Sequence, residues 1–276
     1  MLYLFASKRN TAFSDPIYIL WAQYAVTDIV CLLVIAMATV EAYLNTELTE
    51  MSTKWLGFIN ISFGFNVGRY HQLVIGCYRA FVIFFPAAYY QHKKKYAVRL
   101  CMWIAGSAGF LLCFITCIPQ LMGDGSLVYD FRNYFLVYFT DDNLLIIDTV
   151  VCSTFAAGAL IAYLTVGCRL LLNRQETVVN LDQQRKNEKR LLAVAFASWT
   201  VSFTGVLIVP LVQYLPPISG DIAVAISLFD MWATPLFQIV LNRGFRHELL
   251  NAISVRVGSS SVAPNTNPRT RNRQIA

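Results

Sequence analysis

Five ionisable side chains sit inside long apolar stretches of this chain: Asp28, Arg69, Arg79, Asp148 and Asp230. A charge at the centre of a bilayer costs about 2.5–3.5 kcal/mol on insertion scales, so each such group needs a partner or a wet cavity. Arg79 stands seven residues before Pro86 and close to Lys93, Lys94 and Lys95, which lets it face a polar mouth. Arg69 is ten residues deeper, about 15 Å along a helix, and cannot easily reach that mouth. Asp28 and Asp230 fall near the middle of their runs, and Asp148 near the outer end of its own. Two readings stand side by side: structural ion pairs between helices, or a polar core that can switch. Other chemistry finds no support. There is no HExxH, GxSxG or P-loop motif, and His71, His92 and His247 are too scattered to cluster. The seven cysteines lie within or at the ends of apolar runs with no CxxC pair, so no metal, cofactor or disulfide framework is implied. Cysteine in a membrane helix ordinarily serves as a small apolar filler.

The elements that must position these groups follow from composition. Of 276 residues 57% are hydrophobic and only 14% charged, and the mean hydropathy is +0.52. A soluble globule needs about a quarter of its residues charged, so that class is excluded. Six runs are long enough to cross a bilayer as helices, which takes about 20 residues: Ile17–Leu44, Leu56–Phe85, Ala97–Met122, Leu144–Leu172, Leu191–Leu215 and Ile222–Leu241. None shows the dyad alternation of barrel strands. The expected fold is therefore all-α, a polytopic membrane helix bundle with six transmembrane helices.

Charge orients it. Cytoplasmic loops retain Lys and Arg. With the amino terminus, the 90–99 and 173–190 loops and the carboxyl tail on one side, that side holds 18 of the 22 basic residues. The opposite side has Lys54 and Arg132 against Glu41, Glu47, Glu50, Asp124, Asp130, Asp141, Asp142 and Asp221. Both termini are expected in the cytosol of a plasma-membrane protein. Basic loops flanking spans fit lipid headgroups and a cytosolic partner, not nucleic acid. Residues 1–257 are expected to form the bundle and 258–276 a disordered tail, since the latter has almost no apolar content. Ahead of the tail, Arg243–Arg256 puts Phe245, Leu249, Leu250 and Ile253 on one helical face, a pattern for a short helix on the membrane surface. Met1–Ala6 is too short for a signal peptide.

Three segments resemble the rhodopsin-like family of G-protein-coupled receptors. Arg79, Ile83, Pro86 and Tyr89 keep the spacing that ends the family's third helix, with Tyr78 where the family has an acid. Ala25 and Asp28 are similar to the Ala-x-x-Asp of its second helix, which contributes to an internal sodium site. Pro235, Asn242, Phe245 and Arg246 match the last helix and its surface extension, with Thr234 and Gln238 replacing the usual Asn and Tyr. Pro210 fits the sixth-helix proline, while Ile208 stands in place of a Trp, and the common extracellular disulfide has no cysteines to form it. In this alignment the first helix is missing, and Leu2–Ser7 before Lys8-Arg9 looks like its tail. The departures resemble divergent nematode serpentine chemoreceptors, class x among them.

The resemblance implies a receptor for an extracellular small molecule or peptide that activates a heterotrimeric G protein. Arg79 would be the residue freed to meet the G protein, and the lack of an acid beside it implies elevated basal activity. Ser62, Phe65 and Asn66, with Gln213 and Ser227, are the pocket residues by helical spacing above Arg79, with interhelical packing as the other reading of each. If the helices pack as in the family, Asp28 and Asp230 share one cavity. Two nearby carboxylates in low dielectric resist ionising together unless a cation intervenes; Arg69, turned inward, would take sodium's place. The alternatives are a receptor fragment that does not signal and a six-helix channel or transporter, for which no filter, broken helix or repeat is visible.

Overall fold

The computed structural model describes residues 16–44, 50–92, 96–122, 127–130, 136–139, 142–172 and 179–212, and ten positions between 229 and 250. The first helix, α1, spans Ile17–Leu44. Pro16 sits just ahead of it, where a missing N–H costs nothing, and its carbonyl accepts from the Ile19 N–H at 3.1 Å. The second run begins as α2, Glu50–Gly57, passes through a π-helical stretch, Phe58–Phe65, and continues as α3, Asn66–Phe84. The helix stops at Phe85 because Pro86 crowds the α conformation of the residue before it. Pro86 then opens α4, Pro86–His92. The chain goes on through α5, Tyr96–Met122, a hairpin of β1, Leu127–Asp130, and β2, Leu136–Phe139, α6, Asp142–Leu172, and α7, Val179–Val212.

Beyond α7 the described positions Phe229, Asp230, Trp232, Ala233, Leu236, Phe237, Ile239 and Val240 are helical, as are Arg246 and Leu250. These two, both exposed, are the described part of the stretch read as a surface helix. The Leu2–Ser7 fragment and the 258–276 tail lie outside the described residues.

Two elements run past what hydropathy marks. The 173–190 segment was expected as a loop, yet α7 already starts at Val179 and carries Arg185, Lys186, Lys189 and Arg190 in helix. Gln, Arg, Lys and Glu are good helix formers, and an apolar window cannot see a helix that leaves the membrane. The β1–β2 ladder, antiparallel with Leu127 opposite Phe139 and Asp130 opposite Leu136, had no expected strand behind it. It packs on α2 at the acidic end of the bundle.

The helices expose large apolar side chains and shelter polar ones inside an otherwise apolar core. Leu33, Met37 and Val40 on α1, Trp103, Ile104 and Leu111 on α5, and Ile147, Val150 and Ile161 on α6 are exposed. Gln23, Thr27, Asn66, Arg69, His71, Gln72, Arg79, Ser198, Ser202 and Asp230 are buried. A water-soluble bundle would do the reverse, so the surroundings of these helices are hydrocarbon. Among the described residues three stretches, Ile17–Met37, Tyr96–Ile115 and Ile146–Leu172, are long and apolar enough to cross a membrane. Hydroxyls on the exposed faces are satisfied within their own helix: Thr154 donates to the Val150 carbonyl at 2.7 Å and Thr165 to Ile161 at 2.6 Å. Where no water is available, that is the arrangement a spanning helix requires.

α3 is the central helix, packing against α1, α5, α6 and α7. Ile17, Leu20, Trp21 and Tyr24 of α1 meet Ile75, Tyr78 and Val82 of α3 in one apolar cluster, completed by Tyr89 of α4. A second cluster joins Ala159 and Tyr163 of α6 to Ala195 and Trp199 of α7. Gly109 of α5 is required by Tyr70, whose ring occupies the place a Cβ would take, with its hydroxyl donating to the Ala105 carbonyl at 3.0 Å.

Candidate functional site

The polar residues of α3 form a stripe at helical spacing: Asn66, Arg69, Gln72 and Arg79 are all buried. At its middle, the Arg69 guanidinium donates through Nη2 to Asp230 Oδ2 at 3.0 Å and to the Ser202 carbonyl at 2.9 Å. Arg69 is the bulkiest fully buried side chain among the described residues. The Asp230 carboxylate is 10% exposed, and its other oxygen accepts from the Ser202 hydroxyl in a short hydrogen bond. One turn along α3, Gln72 Nε2 donates to Ser202 Oγ at 2.8 Å and to the Tyr24 hydroxyl at 3.2 Å. Five side chains thereby tie α1, α3, α7 and the closing helical segment together through one arginine–carboxylate pair.

His71 flanks this network. Its Nδ1 lies 2.8 Å from the Val67 carbonyl one turn back. A carbonyl can only accept, so Nδ1 bears a proton. The ring stacks on Tyr24 at 6.4 Å and meets Phe110 edge-on at 5.3 Å. His71 Nε2, Gln72 Oε1 and Ser198 Oγ are buried with no hydrogen-bond partner among the described residues.

Arg69 is turned inward, and the carboxylate it meets is Asp230. Asp28 is half-buried on α1, within electrostatic reach of both Arg69 and Asp230. Asn66, on the same α3 stripe, donates to Asp148 Oδ1 at 2.7 Å and accepts from the Cys152 thiol at 3.2 Å. It is therefore held by α6. Ser62 and Phe65 lie on the π-helical stretch, with their side chains outside the described residues. Gln213, Ser227, Pro235, Asn242 and Phe245 also lie outside the described residues. The group at the basic end of α3 is better defined. Arg79 is buried, Ile83 half-buried, Pro86 exposed, and Tyr89 buried edge-on against Tyr78 at 6.2 Å. Tyr78, standing where the resemblance leads one to expect an acid, is thus an aromatic packing residue.

Sequence reasoning missed Tyr24, Gln72 and Ser202. Gln72 was legible as the next polar position on the Arg69 face of α3. Ser202 and Tyr24 carried no signal, because a hydroxyl in an apolar run is common and its partner lies on another helix.

A bundle with a polar stripe on its central helix, a basic end interrupted at Phe85 and an arginine-centred cross-link inside an apolar shell is a rhodopsin-like helical membrane fold. Among solved structures the chain is similar to squid rhodopsin, with a TM-score of 0.73 at 14% identity, covering 95% of this chain and 82% of that one. At such low identity the likeness is one of fold. No family model matches the sequence. No curated protein matches it either.

Proposed function

We propose that this protein is a rhodopsin-like G-protein-coupled receptor of the plasma membrane, with its basic end in the cytosol. It binds an extracellular small molecule or peptide between the helix ends near the hairpin, and activates a heterotrimeric G protein at the opposite end. The observation that carries this reading is the placement of Arg79 and Pro86 at the basic end of the central helix, within a bundle similar to squid rhodopsin over 95% of the chain. Arg79, Ile83, Pro86 and Tyr89, with Pro235, Asn242, Phe245 and Arg246, form the G-protein-facing set. Asn66, with Ser62, Phe65, Gln213 and Ser227, belongs to the ligand side. A chemosensory role of the nematode serpentine kind is the finer assignment.

Activation in such a receptor is a shift between two arrangements, which an agonist drives by binding one of them better. The family carries an acid beside this arginine and this chain carries Tyr78, a departure from which elevated basal activity is expected. The expected result is G-protein turnover above that of empty cells without added ligand. The test measures G-protein activation and ion flux side by side, in cells expressing the chain with and without an added apolar amino-terminal helix. Surface-expressed protein with no basal signal in either form would contradict the reading. Ion flux without G-protein turnover would favour a channel.

A further inference from the structure

At the basic end of the bundle, the last turn of α6 meets the end of α3 on the outside of the molecule. Arg169, in that last turn, lies with its guanidinium carbon 5.7 Å from the centre of the Phe84 ring. Both residues are exposed. Phe81, Phe85 and Leu171 are exposed around them, and Phe81 and Phe85 pack ring to ring at 5.8 Å. A large apolar patch next to a cation at the end of a membrane span faces acyl chains on one side and headgroups on the other.

Donor chemistry and charge favour one headgroup. A guanidinium over an aromatic ring is held by the ring quadrupole without using a hydrogen-bond acceptor. Arg169 has no hydrogen-bond acceptor or carboxylate among the described residues. A guanidinium's fork of donors matches two oxygens of a phosphate. The same end carries Arg99, Lys189 and Arg190, all exposed, so the local field is positive and favours an anionic lipid over a zwitterionic one.

We infer that the seam between the ends of α3 and α6 is a binding site for one anionic phospholipid, with Arg169 holding the phosphate and Phe81 and Phe84 bedding an acyl chain. The inference rests on the proposed orientation, which places this end at the leaflet rich in anionic lipid, and does not need the signalling reading.

Full-length protein is reconstituted in nanodiscs of equal phosphatidylcholine and phosphatidylserine, and the lipids that stay bound are counted by native mass spectrometry. Size-exclusion profiles check that each variant is folded; Arg169 and Phe84 are on the surface, so little disturbance is expected. The wild type should retain phosphatidylserine preferentially. Arg169→Met should lower the serine-to-choline lipid ratio about fivefold, Arg169→Lys should recover part of it, and Phe84→Leu should lower it less than Arg169→Met does. Arg190→Met, which removes an equal charge from the same end but not from the seam, should lower the ratio clearly less than Arg169→Met does. An unchanged ratio in Arg169→Met, or an equal loss in Arg190→Met, overturns the site. The readout involves neither agonist nor G protein: lipid preference without signalling would sink only the receptor proposal, and signalling without lipid preference would sink only this one.

Discussion

α3 is joined to its neighbours in two different ways. Towards α6 it uses small residues. Gly76 approaches so closely that a Cβ would lie 3.0 Å from the Ala162 methyl and 3.1 Å from the Tyr163 ring, and Gly158 leaves the same space for Leu73. Tyr163 closes the seam by donating to the Gln72 carbonyl at 2.9 Å. Towards α7 and the closing helical segment it uses charge, through Arg69, Gln72, Ser202 and Asp230. In lipid there is little hydrophobic gain from bringing two apolar helices together, because the tails are as apolar as leucine. Close contact and polar bonds remain, and α3 uses one on each side. The first makes a rigid seam. The second makes a joint of directional polar bonds that depends on one buried ion pair.

The largest test of that difference is Arg69→Met. It strands the Asp230 carboxylate in a buried position, and removing one partner of such a pair costs about 3–5 kcal/mol. A thermal melt in detergent should fall accordingly. With the guanidinium gone, the core carboxylates recover a need for a cation, so the melting temperature of the variant should rise with sodium while that of the wild type stays flat. Identical sodium-titrated melts for the two would show that Arg69 is not the resident cation. The double change Arg69→Met with Asp230→Leu removes both charges and should restore most of the loss.

On the other seam, Gly76→Leu should cost about 1–3 kcal/mol through overpacking against Ala162 and Tyr163, with no sodium dependence. A variant that melted like wild type would mean the α3–α6 seam is loose, and the contrast between the two sides would fail. The smallest effect sharpens the picture. Gln72→Leu and Ser202→Ala, each alone and together, form a double-mutant cycle whose coupling should be about 0.6 kcal/mol, the average for hydrogen bonds inside membrane bundles. A coupling near zero would place the joint in the Arg69–Asp230 pair alone.

Much of this was readable in one dimension. The apolar runs set the helices because a spanning segment must satisfy every backbone group internally. Arg69 announced a buried partner because it sits too far from either end to snorkel. Pro86 announced the end of α3, and the structure breaks there. The hairpin was not readable, since a four-residue strand in an outer loop has no periodicity to detect. Neither was the π-helical stretch Phe58–Phe65, whose widened turn depends on how α1 and α5 pack around it. Asn66 shows the limit most plainly. Spacing placed it on the ligand side, but only the fold could show that its amide is spent on Asp148 and Cys152.

Alone, the amino-acid order determined that the chain crosses a membrane as helices, which groups must be sheltered, and which end is basic. Hydropathy and charge act on each segment separately, so they are legible one segment at a time. The tertiary structure decided the pairings: that Arg69 takes Asp230, that Ser202 and Gln72 complete the joint, and that Arg169 lies over Phe84. A hydrogen bond is set by distance and direction between residues as many as 161 positions apart. Only the packing of the helices can supply either.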